Sequence, residues 1–163
     1  MTEPWYEREP WIPEIHKMLM GLYKESQSFK EPIDPELVMK TIEEEKITGF
    51  FGVPTHFYGM LECDQSVLTD CIGSSLKSII SNASALPQSL KEKIVGQFGD
   101  GLLFECYGST EGGIISNLGP EDQLKKKQCV GLPFPYTEIR IINSDGNQCG
   151  PNEVGEVFTL SPY

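Results

Sequence analysis

The string Tyr107-Gly108-Ser109-Thr110-Glu111-Gly112-Gly113 holds the densest set of groups able to do chemistry in this chain. Its glycines let backbone N–H groups come close to a phosphate, an approach that a Cβ would obstruct. The Thr110 hydroxyl can donate to a phosphate oxygen. The Glu111 carboxylate beside it can hold Mg2+, which favours oxygen ligands shared with phosphates. Tyr107, at the head of the string, offers a flat face for a base. The string follows a buried strand predicted over 102–106, and α/β sheets place ligand loops just beyond their strands. The plain alternative is a surface turn in which Thr110 and Glu111 cap a helix.

Other chemistries lack their residues. There is no G-x-x-x-x-G-K-[ST] loop, no G-x-G-x-x-G fingerprint and no G-x-S-x-G elbow. Gly108-Ser109-Thr110-Glu111-Gly112 puts threonine where a hydrolase needs serine, which argues against a serine hydrolase. Cys63, Cys71, Cys106, Cys129 and Cys149 contain no C-x-x-C pair, and the only histidines are His16 and His56, so no zinc site is expected. An odd set of thiols fits a reducing compartment, and the cytoplasm is the expected location. Cys106 has no basic neighbour in sequence to lower its pKa and reads as a small pocket residue rather than a nucleophile. His56 reads first as a packed histidine at a helix start. Phe50, Phe51, Phe57 and Tyr58 read as core.

The elements that must position these groups alternate in type. Asp34, Pro35 and Glu36 suit the start of a helix, with Leu37, Val38, Thr41 and Ile42 on its buried face. A strand is predicted over 47–53, a helix over 55–61, a strand over 76–81, a helix over 87–98 and a strand over 102–106. Strands alternating with helices of this length imply crossover connections and a largely parallel sheet in an α/β fold. After 119–128, a polar stretch, the alternation in Glu138-Ile139-Arg140-Ile141-Ile142, the Asp145-Gly146 turn and a strand over 155–160 predict a short antiparallel β element. Three parts follow: an arm over 1–31 with a short helix over 14–23, an α/β unit over 32–129, and a β unit over 130–163.

The 163 residues carry 24 acidic and 13 basic side chains, a net charge of −11. No basic stripe is present, so neither nucleic acid nor an anionic membrane is an expected partner. Residues 1–20 have no apolar core of a secretory signal, and no run reaches the ~18–20 apolar residues of a spanning helix.

The Tyr107–Glu111 string resembles the Tyr-Gly-x-Thr-Glu motif of the adenylate-forming superfamily, which includes acyl-CoA synthetases, luciferases and adenylation domains of peptide synthetases. Further elements are similar and stand in the family's order: Asp34-Pro35-Glu36-Leu37-Val38 with Val53-Pro54-Thr55, the segment 76–87 ending in a small-residue loop, Val130-Gly131-Leu132-Pro133, and Gly155-Glu156-Val157. The resemblance covers roughly residues 32–162 and is nearest to the fatty or aryl acid–CoA ligase branch. It implies that Tyr107 flanks adenine, that the backbone of Asn82, Ala83 and Ser84 lines the base pocket together with Gly108, that Thr110 contacts the α-phosphate, and that Glu111 holds Mg2+. It also implies an acid pocket walled by Val53, His56, Glu105, Cys106, Gly112 and Gly113. The implied cofactors are ATP or AMP and Mg2+, with a small carboxylic acid and CoA as substrates.

The departures are specific. Asn82-Ala83 stands where the family commonly has two glycines, and Ala85 where it has proline. The family's upstream pyrophosphate loop, its ribose-binding aspartate and its small C-terminal domain with a catalytic lysine have no counterpart here. The chain therefore reads as the middle of a longer ligase, inactive in isolation and needing the missing segments of the parent enzyme. The contrasting reading is a non-catalytic remnant or interaction module that keeps the AMP-binding subdomain.

Overall fold

The computed structural model describes residues 33–70 and 75–161. The helix expected over 14–23, the arm around it, His16 and Cys71 lie outside the described residues.

Helix α1 (Pro35–Glu44) starts at the proline, whose fixed φ suits the first helical position, with Glu36 at its positive end. Met39 and Ile42 are buried and Val38 half-buried, whereas Leu37 is 62% exposed and Thr41 is exposed. The buried stripe is rotated by one residue from the expected face, because Val38, Met39 and Ile42 keep the i, i+1, i+4 spacing of a helix flank. Thr41 Oγ1 instead donates back to the Leu37 carbonyl at 2.8 Å.

Strand β1 (Gly49–Gly52) is followed by α2 (Pro54–Leu61) and by α3 (Gln65–Asp70), a short helix the sequence did not announce. Then come β2 (Ser78–Ser81), α4 (Gln88–Phe98), β3 (Leu103–Ser109) and β4 (Gly113–Leu118). A 3₁₀ turn (Pro120–Asp122), β5 (Leu132–Pro133), β6 (Glu138–Ile142) and β7 (Glu156–Leu160) complete the order. One five-stranded sheet runs β1-β2-β3-β4-β5, and β6 pairs with β7 in a separate two-stranded sheet.

The first three strands are parallel, as helical crossovers require, with Gly52 beside Ser81 and Ser81 beside Glu105. β4 and β5 then join antiparallel, so the sheet is mixed rather than largely parallel throughout. The reason is local: after β3 the chain has only Thr110, Glu111 and Gly112 before the next strand, enough for a hairpin and far too few for a crossover. The expected antiparallel element is the β6–β7 pair, joined in register from Glu138 opposite Leu160 to Ile142 opposite Glu156.

The four α-helices among the described residues contribute to one apolar layer against the sheet. Met39 and Ile42, Phe57 and Met60, Leu68, and Leu90 and Ile94 close over Ile79 and Leu103. Phe50 meets Phe57 edge to face, with ring centroids 5.8 Å apart. The other sheet face is barer among the described residues: Phe51 is 61% and Leu132 70% exposed, and Tyr58 on α2 is 42% exposed. Of the four aromatics expected in the core, Phe50 and Phe57 enter it. Phe51 and Tyr58 do not, because strand alternation sends Phe51 to the opposite face from Phe50.

The hairpin is not regular. Tyr107 faces Ser116 but Gly108 faces Ile114, so Ile115 is an extra residue on β4. That bulge explains why Ile115 and Ser116 are both buried although they are consecutive in a strand. At the far side of β4, Gly131 has φ +85, and a Cβ there would lie 1.9 Å from the Asn117 carbonyl oxygen. Gly131→Ala should therefore cost about 2–4 kcal/mol, from the left-handed backbone and the overlap together. Gly96→Ala, at an exposed position of α4 with nothing within 4 Å of the new methyl, should instead gain about 0.5–1 kcal/mol. Urea melts of both variants check this, and a parental midpoint for Gly131→Ala would refute the close approach.

Candidate functional site

Because β1, β2 and β3 run parallel, their carboxyl ends meet at one edge of the sheet. Three connections therefore leave together: Val53 into α2, the loop 82–87 into α4, and the turn 110–112 into β4. An open cavity of about 450 Å3 lies there, lined by Phe51, Asn82, Ala83, Gly108, Ser109, Thr110, Gly113 and Ile114. The structure thus brings together five of the residues singled out from the sequence: Asn82, Ala83, Gly108, Thr110 and Gly113.

Each wall has a local cause. Ala83 has φ +70, a left-handed conformation that costs a residue with a Cβ roughly 1–2 kcal/mol. Its N–H is taken by the Oδ1 of Asn82, so the Asn side chain closes the bend that two glycines would make without strain. Gly108 lies at the bulge, where a Cβ would come within 2.1 Å of the Gly113 carbonyl oxygen. Gly112 N–H donates to Ser109 Oγ at 3.0 Å, which tightens the hairpin turn. Thr110 and Glu111 are exposed on that turn. They cap no helix, because the chain turns directly from β3 into β4. The plain alternative drawn from the sequence is corrected on that point.

The remaining expected residues sit around the cavity rather than in its lining. Tyr107 is 40% exposed on the strand before the bulge, and Ser84 is exposed on the loop. Val53 is half-buried at the start of α2, and its N–H donates to His56 Nδ1 at 3.4 Å. The histidine is thereby tied into the first turn of its helix. Cys106 Sγ donates to Asn117 Oδ1 at 3.4 Å across β3–β4. Burial first, and then the charge of Glu105, push its thiol up, which disfavours the reactive thiolate. Cys106, Cys129 and Cys149 form no disulfide among the described residues.

Glu105 departs most from its expected place. It is turned into the core, 7% exposed, and paired with the ammonium of Lys91 on α4. Its Oε1 accepts from Leu86 N–H at 3.5 Å. It does not line the cavity. Lys91, itself only 3% exposed, was missed from the sequence. The signal was present: Lys91 stands between Leu90 and Ile94 on the apolar stripe, and Glu105 shares the phase of buried Leu103.

A metal ion held by protein alone is not supported, since no group of three or more His, Cys, Asp or Glu is so placed among the described residues. One carboxylate and one hydroxyl, on Glu111 and Thr110, suit Mg2+ when phosphate oxygens supply much of the shell. A second hollow of about 390 Å3, between the 3₁₀ turn and β5, contains none of the expected residues.

Comparison with known proteins bears on these features. The profile of the AMP-binding enzyme family matches residues 11–163. The chain is 33% identical over 118 residues to the acyl–CoA ligase YhfT of Bacillus subtilis (strain 168), covering 72% of this chain and 23% of that protein. It is 32% identical over 130 residues to the long-chain-fatty-acid–CoA ligase of the same organism, covering 79% and 23%. Among solved structures, o-succinylbenzoate coenzyme A synthetase from Bacillus subtilis in complex with ATP and magnesium ion is similar with a TM-score of 0.66 and 27% identity, over 80% of this chain and 26% of that one. The chain spans about a quarter of the length of these relatives.

The bend at Ala83 generates a prediction that needs no ligand. Ala83→Gly should raise stability by about 1 kcal/mol, by relieving the left-handed strain against glycine's entropic cost. Ala83→Val should lower it by at least as much. A thermal melt in which glycine destabilises and valine does not would contradict the observed bend.

Proposed function

This chain belongs to the family of AMP-binding enzymes, and from that premise we propose that it supplies the adenylate-binding part of an acid–thiol ligase. In the proposed reaction a carboxylate oxygen attacks the α-phosphorus of ATP and pyrophosphate leaves with the electrons of the broken P–O bond. The thiol of CoA then attacks the acyl carbon, and AMP departs. The observation that carries this reading is the convergence of Asn82, Ala83, Gly108, Thr110 and Gly113 on one cavity at the carboxyl edge of three parallel strands. That edge is where open α/β sheets bind ligands.

In this reading the loop at Asn82, Ala83 and Ser84 presents its backbone to the adenine, and Tyr107 stands beside the ring. Thr110 donates its hydroxyl to the α-phosphate. Glu111, exposed and without a described ion-pair partner, is available as a ligand to Mg2+, which would offset charge on the transferring phosphoryl group. Val53, His56, Cys106, Gly112 and Gly113 border the acid, and Glu105 acts from beneath rather than as a wall. Free thiols suit a reducing compartment, and we place the protein in the cytoplasm. Among the described residues no helix is long and apolar enough to cross a membrane.

Turnover is assigned to the longer assembly, since the relatives are about four times the matched length. A chimera in which residues 33–161 replace the matching stretch of the Bacillus subtilis long-chain-fatty-acid–CoA ligase tests the site directly. Glu111→Gln in that chimera should lower acyl-adenylate formation about a hundredfold, as loss of a comparable electrostatic stabiliser does. Raised Mg2+ should restore part of the rate, and the thermal midpoint should stay near that of the parent. An unchanged rate with a lowered midpoint would assign the turn a structural role only. The 163-residue chain by itself should release no pyrophosphate above background from ATP, acid and CoA.

A further inference from the structure

We propose that the buried Lys91–Glu105 pair is a positioning device that locks the loop 82–87 to the strand bearing Tyr107, and so sets the width of the nucleotide cavity. The inference rests on the adenylate-binding reading for the identity of the ligand, but not for the tether itself.

One carboxylate joins three segments. Glu105 belongs to β3 by its own backbone, two positions before Tyr107. Its Oε2 meets the Lys91 ammonium on the first half of α4, and the two side chains are 9% and 4% exposed. Its Oε1 accepts from Leu86 N–H at 3.5 Å, in the loop that carries Asn82 and Ala83. Both cavity walls are thereby referred to a single group. Ser81, in register beside Glu105, is fully buried and its hydroxyl has no hydrogen-bond partner among the described residues. Three buried polar side chains, Ser81, Lys91 and Glu105, thus lie together on this side of the sheet.

Holding a helix on a strand does not require charge. Apolar residues of similar volume pack such contacts as well or better, because both ions must be stripped of water. What the carboxylate adds is direction. It offers Leu86 N–H an acceptor at 3.5 Å, and it is itself held by Lys91. An apolar contact would leave the loop free to slide, and a ligand would then have to order it on binding. Since Ala83 is bent into a strained conformation three residues earlier, an anchor at Leu86 also keeps that bend from relaxing.

The test compares two double variants of the full chain. K91M/E105L removes both charges and the acceptor for Leu86. K91M/E105Q removes the charges but keeps an acceptor oxygen at the same place. Neither leaves a lone buried ion, so both should fold with midpoints close to each other. Amide hydrogen exchange over residues 83–86 and AMP affinity by titration are read on the parent and both variants. In K91M/E105L, exchange should quicken and AMP affinity fall, each about five- to tenfold, the worth of one hydrogen bond. K91M/E105Q should remain within about twofold of the parent in both. Parental exchange and affinity in K91M/E105L would overturn the proposal and leave the pair a purely structural contact. Equal losses in the two variants would overturn the Leu86 tether. A parent that binds no AMP would sink the adenylate-binding reading, while the exchange data would still decide the tether.

Discussion

The buried ammonium–carboxylate pair of Lys91 and Glu105, set beside an apolar layer, constrains the arrangement of α4, β3 and the loop between β2 and α4. Such a pair tolerates little displacement. Removing one partner from a buried ion pair costs about 3–5 kcal/mol, because the other is left uncompensated. Any shift of α4 along the sheet would separate the charges and incur part of that cost. The apolar contacts of Leu90 and Ile94 with the sheet, by contrast, would survive a small slide. The hydrophobic layer therefore holds the helix down, and the ion pair fixes where along the strand it sits.

The parallel strands turn that fixed position into a site. With β1, β2 and β3 ending at one edge, every loop leaving that edge inherits the register of the sheet. The reversal at Thr110–Gly112 then matters more than its length suggests. A crossover there would have carried the chain away over the helical face. The hairpin instead returns it beside β3, where the bulge at Ile115 and the close approach at Gly108 bring Gly113 and Ile114 to the cavity. The change from parallel to antiparallel pairing and the formation of the cavity are one structural event.

Local signals made much of this readable in advance. Pro35 and the proline before α4 marked helix starts, and the apolar runs marked β1, β2 and β3 to within a few residues. The β6–β7 pair followed from alternation around Asp145-Gly146. What failed to show was tertiary. α3 carries too short a stripe to stand out, and β4 is broken by a bulge that spoils its alternation. The exposed Phe51 and the buried Glu105 share one cause. Period-two alternation assigns each to a face, but only the neighbouring layer decides what that face meets. Glu105 was legible as a motif-adjacent carboxylate, whereas its partner on α4 lies fourteen residues earlier and is announced only by a lysine on an apolar stripe.

Glu105 and Glu111 show how the same side chain is given different work within one hairpin. Both are carboxylates, and both stand beside residues expected to meet a nucleotide. Glu105 is covered by α4, and its oxygens are committed to Lys91 and to Leu86 N–H. Drawing that carboxylate toward a metal would take it away from a buried lysine. Glu111 lies beyond the last residue of β3, exposed on the turn that the Gly112 N–H to Ser109 Oγ bond closes. Its oxygens remain free to follow a ligand. Burial thus divides the two acids: one is held against α4 beside a lysine, and the other stands on an exposed turn.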